Sequence, residues 1–257
     1  MTASPPVRVE TEGGIATVTI DRPECKNAVT VAMWHTLRHA FEDLGADRDV
    51  RVVVVTGVGD AFCAGADIRD ADYGGDPSPT AVAQRMQAID SAAIALHRLA
   101  KPTIASVNGV AVGAGWSLAL GCDIVLAAES ARFSAMFVER GISLDVGGTW
   151  LFAHLGGLQR AKHLAFTGEF VSASEAADLG LVLRVHPDGE LAAATADYAA
   201  GLAGRSSTAL AQIKTGLNRA TTWTFEEACE FEGRAQAACV AAQVLGARRS
   251  AATKDPS

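Results

Sequence analysis

The sequence has neither a long basic run nor a long apolar run. Its longest basic run is Arg248–Arg249, and the net charge is −7 with a pI of about 5.4. Binding to duplex nucleic acid needs a clustered basic surface, so we expect no nucleic-acid partner. No window reaches the roughly 18 apolar residues of a membrane span, and the first residues lack the pattern of a secretory signal. We therefore expect no membrane partner and a cytoplasmic location.

Motifs that hold metals or nucleotides are also missing. The five cysteines are odd in number and lack metal-ligand spacing, which is typical of reduced thiols. His35 and His39 have helical metal spacing, but the glutamate of an HExxH motif is absent. The chain has no GxxxxGK[ST] loop and no GxGxxG loop followed by a ribose-binding acid. We expect no bound metal and no separate cofactor.

Apolar residues are plentiful, at 49% of the 257 residues against 20% charged, so the chain can bury a large core. Strand and helix patterns alternate in the first two-thirds, and only helical patterns follow. This order predicts an α/β fold with a parallel-sheet core. We divide the chain into a core (1–188), a helical region (189–246) and a flexible tail (247–257).

The individual elements are predicted from periodicity, caps and breakers. The predicted strands are 7–10, 15–20, 51–56, 103–107, 124–127, 131–134 and 181–185, the first two forming a hairpin. The predicted helices are 30–44 after a Thr30 cap, 80–99 after a Thr80 cap, 149–155, 158–166, 175–179, 190–203, 206–219 and 225–245, the last stopped by Gly246. Residues 70–79 are predicted to be a polar loop.

Two glycine turns follow two strand patterns that are predicted to be buried. The turn 63–67 (CAGAD) follows Arg51–Thr56, and the turn 113–115 (GAG) follows Thr103–Val107. Each can present an unhindered backbone N–H at a helix start. Two such donors aimed at one point form an oxyanion hole, which stabilises a carbonyl oxygen as it becomes enolate-like. The alternative is a tight turn in which glycine only gives space for packing.

Several stretches together resemble the enoyl-CoA hydratase/isomerase (crotonase) superfamily. They are RPECKNAVT (22–30), RVVVVTGVGDAFCAGADI (51–68), KPTIASVNGVAVGAGWSLALGCDIVLA (101–127), FVERGISLDVGGTW (137–150) and ASEAADLGLVLRV (173–185). The resemblance runs from about residue 7 to residue 240 in the family's order and spacing. It implies a spiral core of ββα turns with a helical C-terminal trimerisation region, and a homotrimer or homohexamer. It also implies an acyl-CoA thioester as substrate, with coenzyme A as part of that substrate.

The resemblance also assigns site residues. It places the two oxyanion donors on the backbone N–H groups of Ala66 and Ala114. It places the loop Lys26 to Ala28 beside the pantetheine and phosphates of coenzyme A. It places adenine recognition on the backbone around Ala64, Asp67 and Ile68. Trp116 is predicted to line the acyl pocket, with core packing as the alternative.

Two positions depart from the hydratases of this superfamily. Where the resemblance places the two glutamates that handle water, this chain has Ser117 and Phe137. Neither residue can be a general base near neutral pH. Ordinary hydration with those two positions is therefore not expected.

Asp145 offers another proton-transfer group. The resemblance implies a catalytic aspartate at this position in some isomerases, including dienoyl-CoA isomerases and the ring-opening isomerases of phenylacetate breakdown. The surrounding FVERGISLD is most similar to the ring-opening group. One carboxylate can move a proton from one carbon to another, and Phe137, Leu144 and Trp116 would raise its pKa. The alternative is an N-cap or loop aspartate for the helix near Thr149.

Three functions follow as hypotheses. The first is an acyl-CoA isomerase in which Asp145 shifts a proton. The second is a hydratase with a non-standard water site that also uses Asp145. The third is an acyl-CoA-binding homologue with little catalysis.

Overall fold

The computed structural model describes residues 5–252 and has the α/β architecture that the sequence predicts. Its strands are β1 (Val7–Glu12), β2 (Ile15–Ile20), β3 (Val52–Gly57), β4 (Ala61–Cys63), β5 (Thr103–Val107), β6 (Val110–Val112), β7 (Ile124–Ala128), β8 (Arg132–Ser134), β9 (Phe170–Ser172) and β10 (Arg184–His186). Its helices are α1 (Val31–Ala46), α2 (Ala71–Gly74), α3 (Pro79–Arg98), α4 (Ala114–Leu120), α5 (Gly148–Gly156), α6 (Leu158–Thr167), α7 (Ala173–Asp178), α8 (Leu191–Ala203), α9 (Ser207–Arg219) and α10 (Phe225–Ala252).

The larger sheet has the strand order β1-β2-β3-β5-β7-β10. β1 and β2 form the predicted antiparallel hairpin, and the remaining neighbours are parallel. Val52 to Val55 and all of β5 are buried, as expected for strands that are covered on both faces. In register, Val54 of β3 pairs with Ile104 of β5. The carboxyl ends of β3 and β5 therefore lie side by side.

The smaller sheet continues from those carboxyl ends, with the order β4-β6-β8-β9. β4 and β6 pair in parallel, with Ala61 opposite Val110 and Cys63 opposite Ala111. Each strand leads directly into one of the two glycine turns. The second sheet therefore brings together two turns that lie about fifty residues apart in sequence.

The predicted start of α1 is confirmed, and two other boundaries are corrected. The Thr30 hydroxyl accepts a hydrogen bond from Met33 N at 3.2 Å and caps α1. Helix α3 is capped by Ser78 instead of Thr80, since proline is well suited to the first helical position, which Pro79 occupies. The predicted strand 181–185 is wrong in its first part. The N–H groups of 181 and 182 donate to the carbonyl of Ala176 and end α7, so the strand is limited to β10.

The C-terminal region is helical, as predicted, but its last helix is longer. Helix α10 continues through Gly246 to Ala252, so the predicted stop is wrong and the first part of the predicted tail is helical. Residues 253–257 lie outside the described residues. Four short elements were not predicted, namely α2 inside the expected polar loop and the strands β4, β6 and β9. Within residues 5–252, no helix is both long and apolar enough to cross a membrane.

Candidate active site

The two glycine turns touch each other. A Cβ atom added to Gly65 would lie 2.8 Å from the carbonyl oxygen of Val112 and 3.6 Å from the backbone nitrogen of Ala114. A Cβ atom added to Gly115 would lie 2.1 Å from the carbonyl oxygen of Cys63. Only a residue without a side chain permits such an approach of two backbones. The glycines of these two turns therefore give space for close packing, and the same turns carry the backbone N–H groups of Ala66 and Ala114.

Both proposed donors have unused N–H groups. Gly65 O accepts from Val29 N at 2.8 Å, and Asp67 N donates to Val29 O at 2.9 Å. This bridge flanks Ala66 and leaves its own N–H without a partner in the described chain. Ala114 begins α4, and its N–H likewise has no partner among residues 5–252. Two adjoining turns thus each hold a backbone N–H group without a partner in the described residues.

The setting of Ala66 differs from the prediction in one respect. The turn 63–67 was expected to open a helix, but Ala66 lies in an extended bridge with Val29, and the next helix begins only at Ala71. Only Ala114 stands at a helix N-terminus. The dipole of α4 therefore strengthens the N–H group of Ala114 as a donor to an anion, whereas the N–H group of Ala66 has no helix dipole behind it.

Aromatic side chains close the space around the second turn. Phe137 is buried, and its ring carbons lie 3.8 Å from the position of a Cβ on Gly113. Trp116 is fully buried, with ring-centroid distances of 4.7 Å to Phe152 and 5.4 Å to Phe133. Trp116 thus takes the core-packing alternative in this structure, and contact between Trp116 and substrate stays a prediction.

Asp145 does not cap the following helix. Helix α5 has Gly147 at its N-cap and no side-chain cap, so the alternative role as an N-cap is wrong. The backbone carbonyl of Asp145 accepts from Gly148 N at 2.8 Å. Its Oδ1 atom is buried, and no hydrogen-bond partner for it exists in the described part of the chain. The Asp145 side chain is therefore free to act on a ligand.

The backbone next to Asp145 adopts an uncommon conformation. Val146 has a φ of 53°, which a β-branched residue rarely adopts, and Gly147 follows with a φ of 75°. Such a conformation costs about 1–3 kcal/mol and persists only where the surroundings hold it. Val146 is buried. Its packing therefore fixes the direction in which the preceding aspartate points.

Burial raises the pKa of Asp145 to about 7, and the negative charge of Asp90 adds to this effect. Near neutral pH, the acid and the carboxylate are both populated, so one group can accept a proton and return it. Burial also raises the pKa of the Cys63 thiol to about 12, with a small contribution from Asp145. Cys63 is therefore a neutral thiol in the core and not a nucleophile.

The raised pKa predicts a gain in stability for Asp145→Asn that depends on pH. Between about pH 4 and about pH 7, the Asp145 carboxyl group ionises in the unfolded chain but stays protonated in the folded protein. The free energy of unfolding of wild type therefore falls as pH rises through this range. Asparagine has no such titration. We expect the free energy of unfolding of the variant to equal that of wild type near pH 4 and to exceed it by about 2 kcal/mol near pH 8. This figure is reduced because the Asp145 side chain is partly exposed to solvent. Urea unfolding at both pH values measures this, and an equal difference at both would contradict it.

The segments that the resemblance assigns to coenzyme A contact each other. Lys26 O accepts from Ala64 N at 2.9 Å, which docks the loop Lys26–Ala28 onto the first glycine turn. The Lys26 ammonium lies 3.0 Å from the Asp60 carboxylate, and both side chains are largely exposed. Ala28 is buried beneath the loop. The segments assigned to coenzyme A and the donor Ala66 therefore share one edge of the molecule.

The structure restricts which adenine contacts remain available. The N–H groups of Ala64 and Asp67 are occupied by backbone carbonyls. The Asp67 carboxylate is buried and lies 2.9 Å from the Arg22 guanidinium, so it serves the fold. Ala64 O and Ile68 N have no partner within the described residues, and Ile68 is exposed. These two groups present one acceptor and one donor toward solvent.

A partly apolar groove of about 440 Å³ begins beside Asp145. It is lined by the two residues that follow Asp145, by Leu118 of α4, by Trp150 of α5 and by Asp90 of α3. Asp90 could not be found from the sequence, because an isolated aspartate on an amphipathic helix is indistinguishable from a solvated surface residue. In the described residues, no cluster of three His, Cys, Asp or Glu side chains could hold a metal ion.

Comparison with protein families gives a match over most of the chain. The family model described as "Enoyl-CoA hydratase/isomerase" matches residues 10–246. The 1,2-epoxyphenylacetyl-CoA isomerase of Escherichia coli is 37% identical over 224 residues, covering 86% of this chain and 85% of that protein. A probable enoyl-CoA hydratase of Rhodobacter capsulatus is 35% identical over 230 residues, covering 90% and 88%.

Solved structures have the same fold. An enoyl-CoA hydratase from Bacillus anthracis has a TM-score of 0.87 at 28% identity, covering 92% of this chain and 91% of the other. A Thermobifida fusca protein assigned as an enoyl-CoA hydratase, crystallised in complex with CoA, has a TM-score of 0.87 at 32% identity, covering 93% and 94%. The predicted fold is thereby confirmed.

Proposed function

The chain belongs to the enoyl-CoA hydratase/isomerase family, and we propose that it shifts the double bond of an acyl-CoA thioester with Asp145 as the proton carrier. The observation that carries this proposal is the buried Oδ1 of Asp145 with no partner in the described chain. Ser117 and Phe137 occupy the positions that the resemblance gives to the hydratase carboxylates. A reaction that needs one carboxyl group therefore fits this chain best.

The reaction has two proton transfers. The Asp145 carboxylate takes a proton from the α- or γ-carbon, and the electron pair of that C–H bond moves into the conjugated thioester. The thioester oxygen becomes a dienolate oxygen, which accepts hydrogen bonds from the N–H groups of Ala66 and Ala114. Asp145, now an acid, returns the proton to the other carbon. No group is consumed, and the double bond has moved.

The coenzyme A portion is held at the edge where the assigned segments meet. Ala64 O can accept from the adenine amino group, and Ile68 N can donate to a ring nitrogen. Lys26 can turn from Asp60 to a phosphate, because exchange of an exposed ion pair costs little. These contacts hold the thioester at a fixed distance from the adenine.

We also propose that three or six copies assemble through the C-terminal helices. Helices α9 and α10 expose large apolar side chains, among them Ile213, Leu217, Phe225 and Val240. An apolar face of this kind on a folded chain is typical of an interface between subunits. Light scattering should return the mass of three or six chains, and a monomer would contradict this assembly.

The function is tested with 3-enoyl-CoA and 2-enoyl-CoA in deuterated buffer. Conversion between the two, with deuterium entering at the α- or γ-carbon, is the expected result. Thioester binding without conversion or exchange would leave an acyl-CoA-binding homologue and would overturn the isomerase proposal. Hydration is measured in the same samples as the formation of 3-hydroxyacyl-CoA.

A further inference from the structure

The N–H group of Ala66 has no helix behind it, so its direction depends on the hydrogen bonds of its neighbours. The N–H group of Ala66 and the carbonyl group of Gly65 belong to one planar trans peptide unit and point in opposite directions. Gly65 O accepts a hydrogen bond from Val29 N at 2.8 Å. This hydrogen bond therefore fixes the direction in which the Ala66 N–H group points.

A second peptide unit continues the series toward a charged side chain. The N–H group of Val29 and the carbonyl group of Ala28 also belong to one planar peptide unit. Ala28 O accepts a hydrogen bond from Nη1 of the Arg22 guanidinium at 2.6 Å. Two peptide units in series, 28–29 and 65–66, therefore connect the cation of Arg22 to the N–H group of Ala66.

Hydrogen bonds in series polarise one another. A charged donor draws electron density from the carbonyl that it contacts, which makes the N–H group of the same peptide unit a stronger donor. In this series, the effect passes through Val29 to Gly65 O and reaches the N–H group of Ala66. The dipole of α4 acts on the N–H group of Ala114 in the corresponding way. Arg22 thus lies where a charge can strengthen the donor that lacks a helix.

The side chain of Arg22 is held by an ion pair with little access to solvent. Its Nη2 lies 2.9 Å from Asp67 Oδ2, and the two side chains are 22% and 6% exposed. Burial raises the pKa of Asp67, but hydrogen bonds from Arg69 and Arg22 outweigh burial and lower it, so Asp67 is ionised at neutral pH. Glu24 lies 3.8 Å from Arg22 Nε, but water screens its exposed carboxylate. The fork of Arg22 is therefore directed at Asp67 and at Ala28 O together.

The backbone of Arg22 is held as firmly as its side chain. Arg22 N donates to Asn27 Oδ1 at 2.9 Å, and Asn27 N donates to Arg22 O at 2.9 Å. Lys26 and Asn27 have φ values of 52° and 58°, which residues other than glycine rarely adopt. The Asn27 amide is buried and donates to Val58 O and Ala61 O at 2.9 and 2.7 Å, which stabilises this turn. The turn brings Ala28 back to the guanidinium of Arg22.

We propose that Arg22 is a positioning residue of the site, which orients and polarises the N–H group of Ala66 through the peptide units 28–29 and 65–66. This inference rests on the proposed role of Ala66 as an oxyanion donor, but neither on isomerisation nor on Asp145. The two donors are then strengthened in different ways, Ala114 by a helix dipole and Ala66 by a cation.

The direct test measures the carbonyl group of a bound thioester in the full-length protein. The probe is butyryl-CoA with carbon-13 at the thioester carbonyl, since a saturated chain cannot isomerise. Hydrogen bonds from the oxyanion donors polarise the carbonyl bond, so infrared difference spectra should show its stretching frequency lowered on binding to wild type. Arg22→Gln removes the cation and shortens the side chain, and it should reduce this lowering to about half, because one of two donors is weakened.

Arg22→Lys keeps the positive charge but lacks the planar fork that contacts two acceptors, so its carbonyl frequency should lie between those of wild type and Arg22→Gln. The Kd for butyryl-CoA should stay within about threefold in both variants, since the interaction strengthens as negative charge develops on the oxygen. With 3-enoyl-CoA, kcat of Arg22→Gln should fall by about 10-fold to 10²-fold, at most the effect of removing one oxyanion donor.

The matched control is Arg8→Gln, the same change on β1, where the guanidinium lies 3.1 Å from Asp21. This variant should keep the wild-type carbonyl frequency and kcat. The proposal is overturned if Arg22→Gln binds butyryl-CoA with the wild-type frequency, if Arg8→Gln changes the frequency equally, or if wild type does not lower it. Should Arg22→Gln fail to fold by circular dichroism, a wild-type frequency in Arg22→Lys has the same meaning. A frequency that depends on Arg22 without any isomerisation would support this inference while the isomerase proposal fails.

Discussion

Asp145→Asn is expected to lower the rate of isomerisation by about 10³-fold, the usual effect of removing a general base. Asparagine keeps the size and the polar character of the side chain but cannot take up a proton at neutral pH. The KM for the thioester should change little, because the donors Ala66 and Ala114 and the coenzyme A segments are unaffected. Initial rates with 3-enoyl-CoA measure both parameters.

The pH dependence provides a second readout for the same residue. The first proton transfer needs the Asp145 carboxylate, and the pKa of this group is raised to about 7. The wild-type rate should therefore rise with pH through about 7 and then level off. Asp145→Glu, which restores a carboxyl on a longer stem, should recover part of the rate. Asp43→Asn, the same change on the exposed face of α1, should have none of these effects. A variant that retains more than about a tenth of the wild-type rate would contradict a role of Asp145 as the base.

Sequence could anticipate the parts of this site that depend on backbone. The glycines of the two turns follow apolar strand patterns, and parallel strands in register bring such turns to one edge. Thr30 could be predicted as a cap because hydroxyl capping is a local interaction with Met33 N. The hairpin of β1 and β2 could also be predicted from local sequence, because only a glycine turn separates its two strands.

Sequence could not anticipate features that depend on neighbours distant in the chain. Asp90 lines the same groove as Val146 and Gly147, although these residues lie more than fifty positions away in the chain. Ala66 was placed at a helix start because glycine turns often precede helices, but pairing with Val29 keeps the backbone extended. Leu181 is as apolar as a strand residue, yet its N–H group ends α7. In each case a tertiary contact outweighed the local pattern.

Gly115→Ala is expected to damage both stability and catalysis. The added Cβ would lie 2.1 Å from the carbonyl oxygen of Cys63 and 2.8 Å from its carbonyl carbon, and a backbone cannot rotate away as a side chain can. Helix α4 must move away from β4, which disrupts the pairing of two buried turns. We expect the free energy of unfolding to fall by about 3 kcal/mol or more, as measured by urea unfolding.

The catalytic part of this prediction follows from the position of Ala114. Its N–H group precedes residue 115 directly, so the same movement displaces one oxyanion donor, and a displacement of about 1 Å can cost about 10²-fold in rate. Gly201→Ala in α8 is the matched control. No atom lies within 4 Å of the added methyl group, so this variant should gain about 0.5–1 kcal/mol and keep full activity. If Gly115→Ala instead folds with wild-type stability and isomerises at the wild-type rate, the two turns do not touch as described, and the oxyanion hole loses its structural basis.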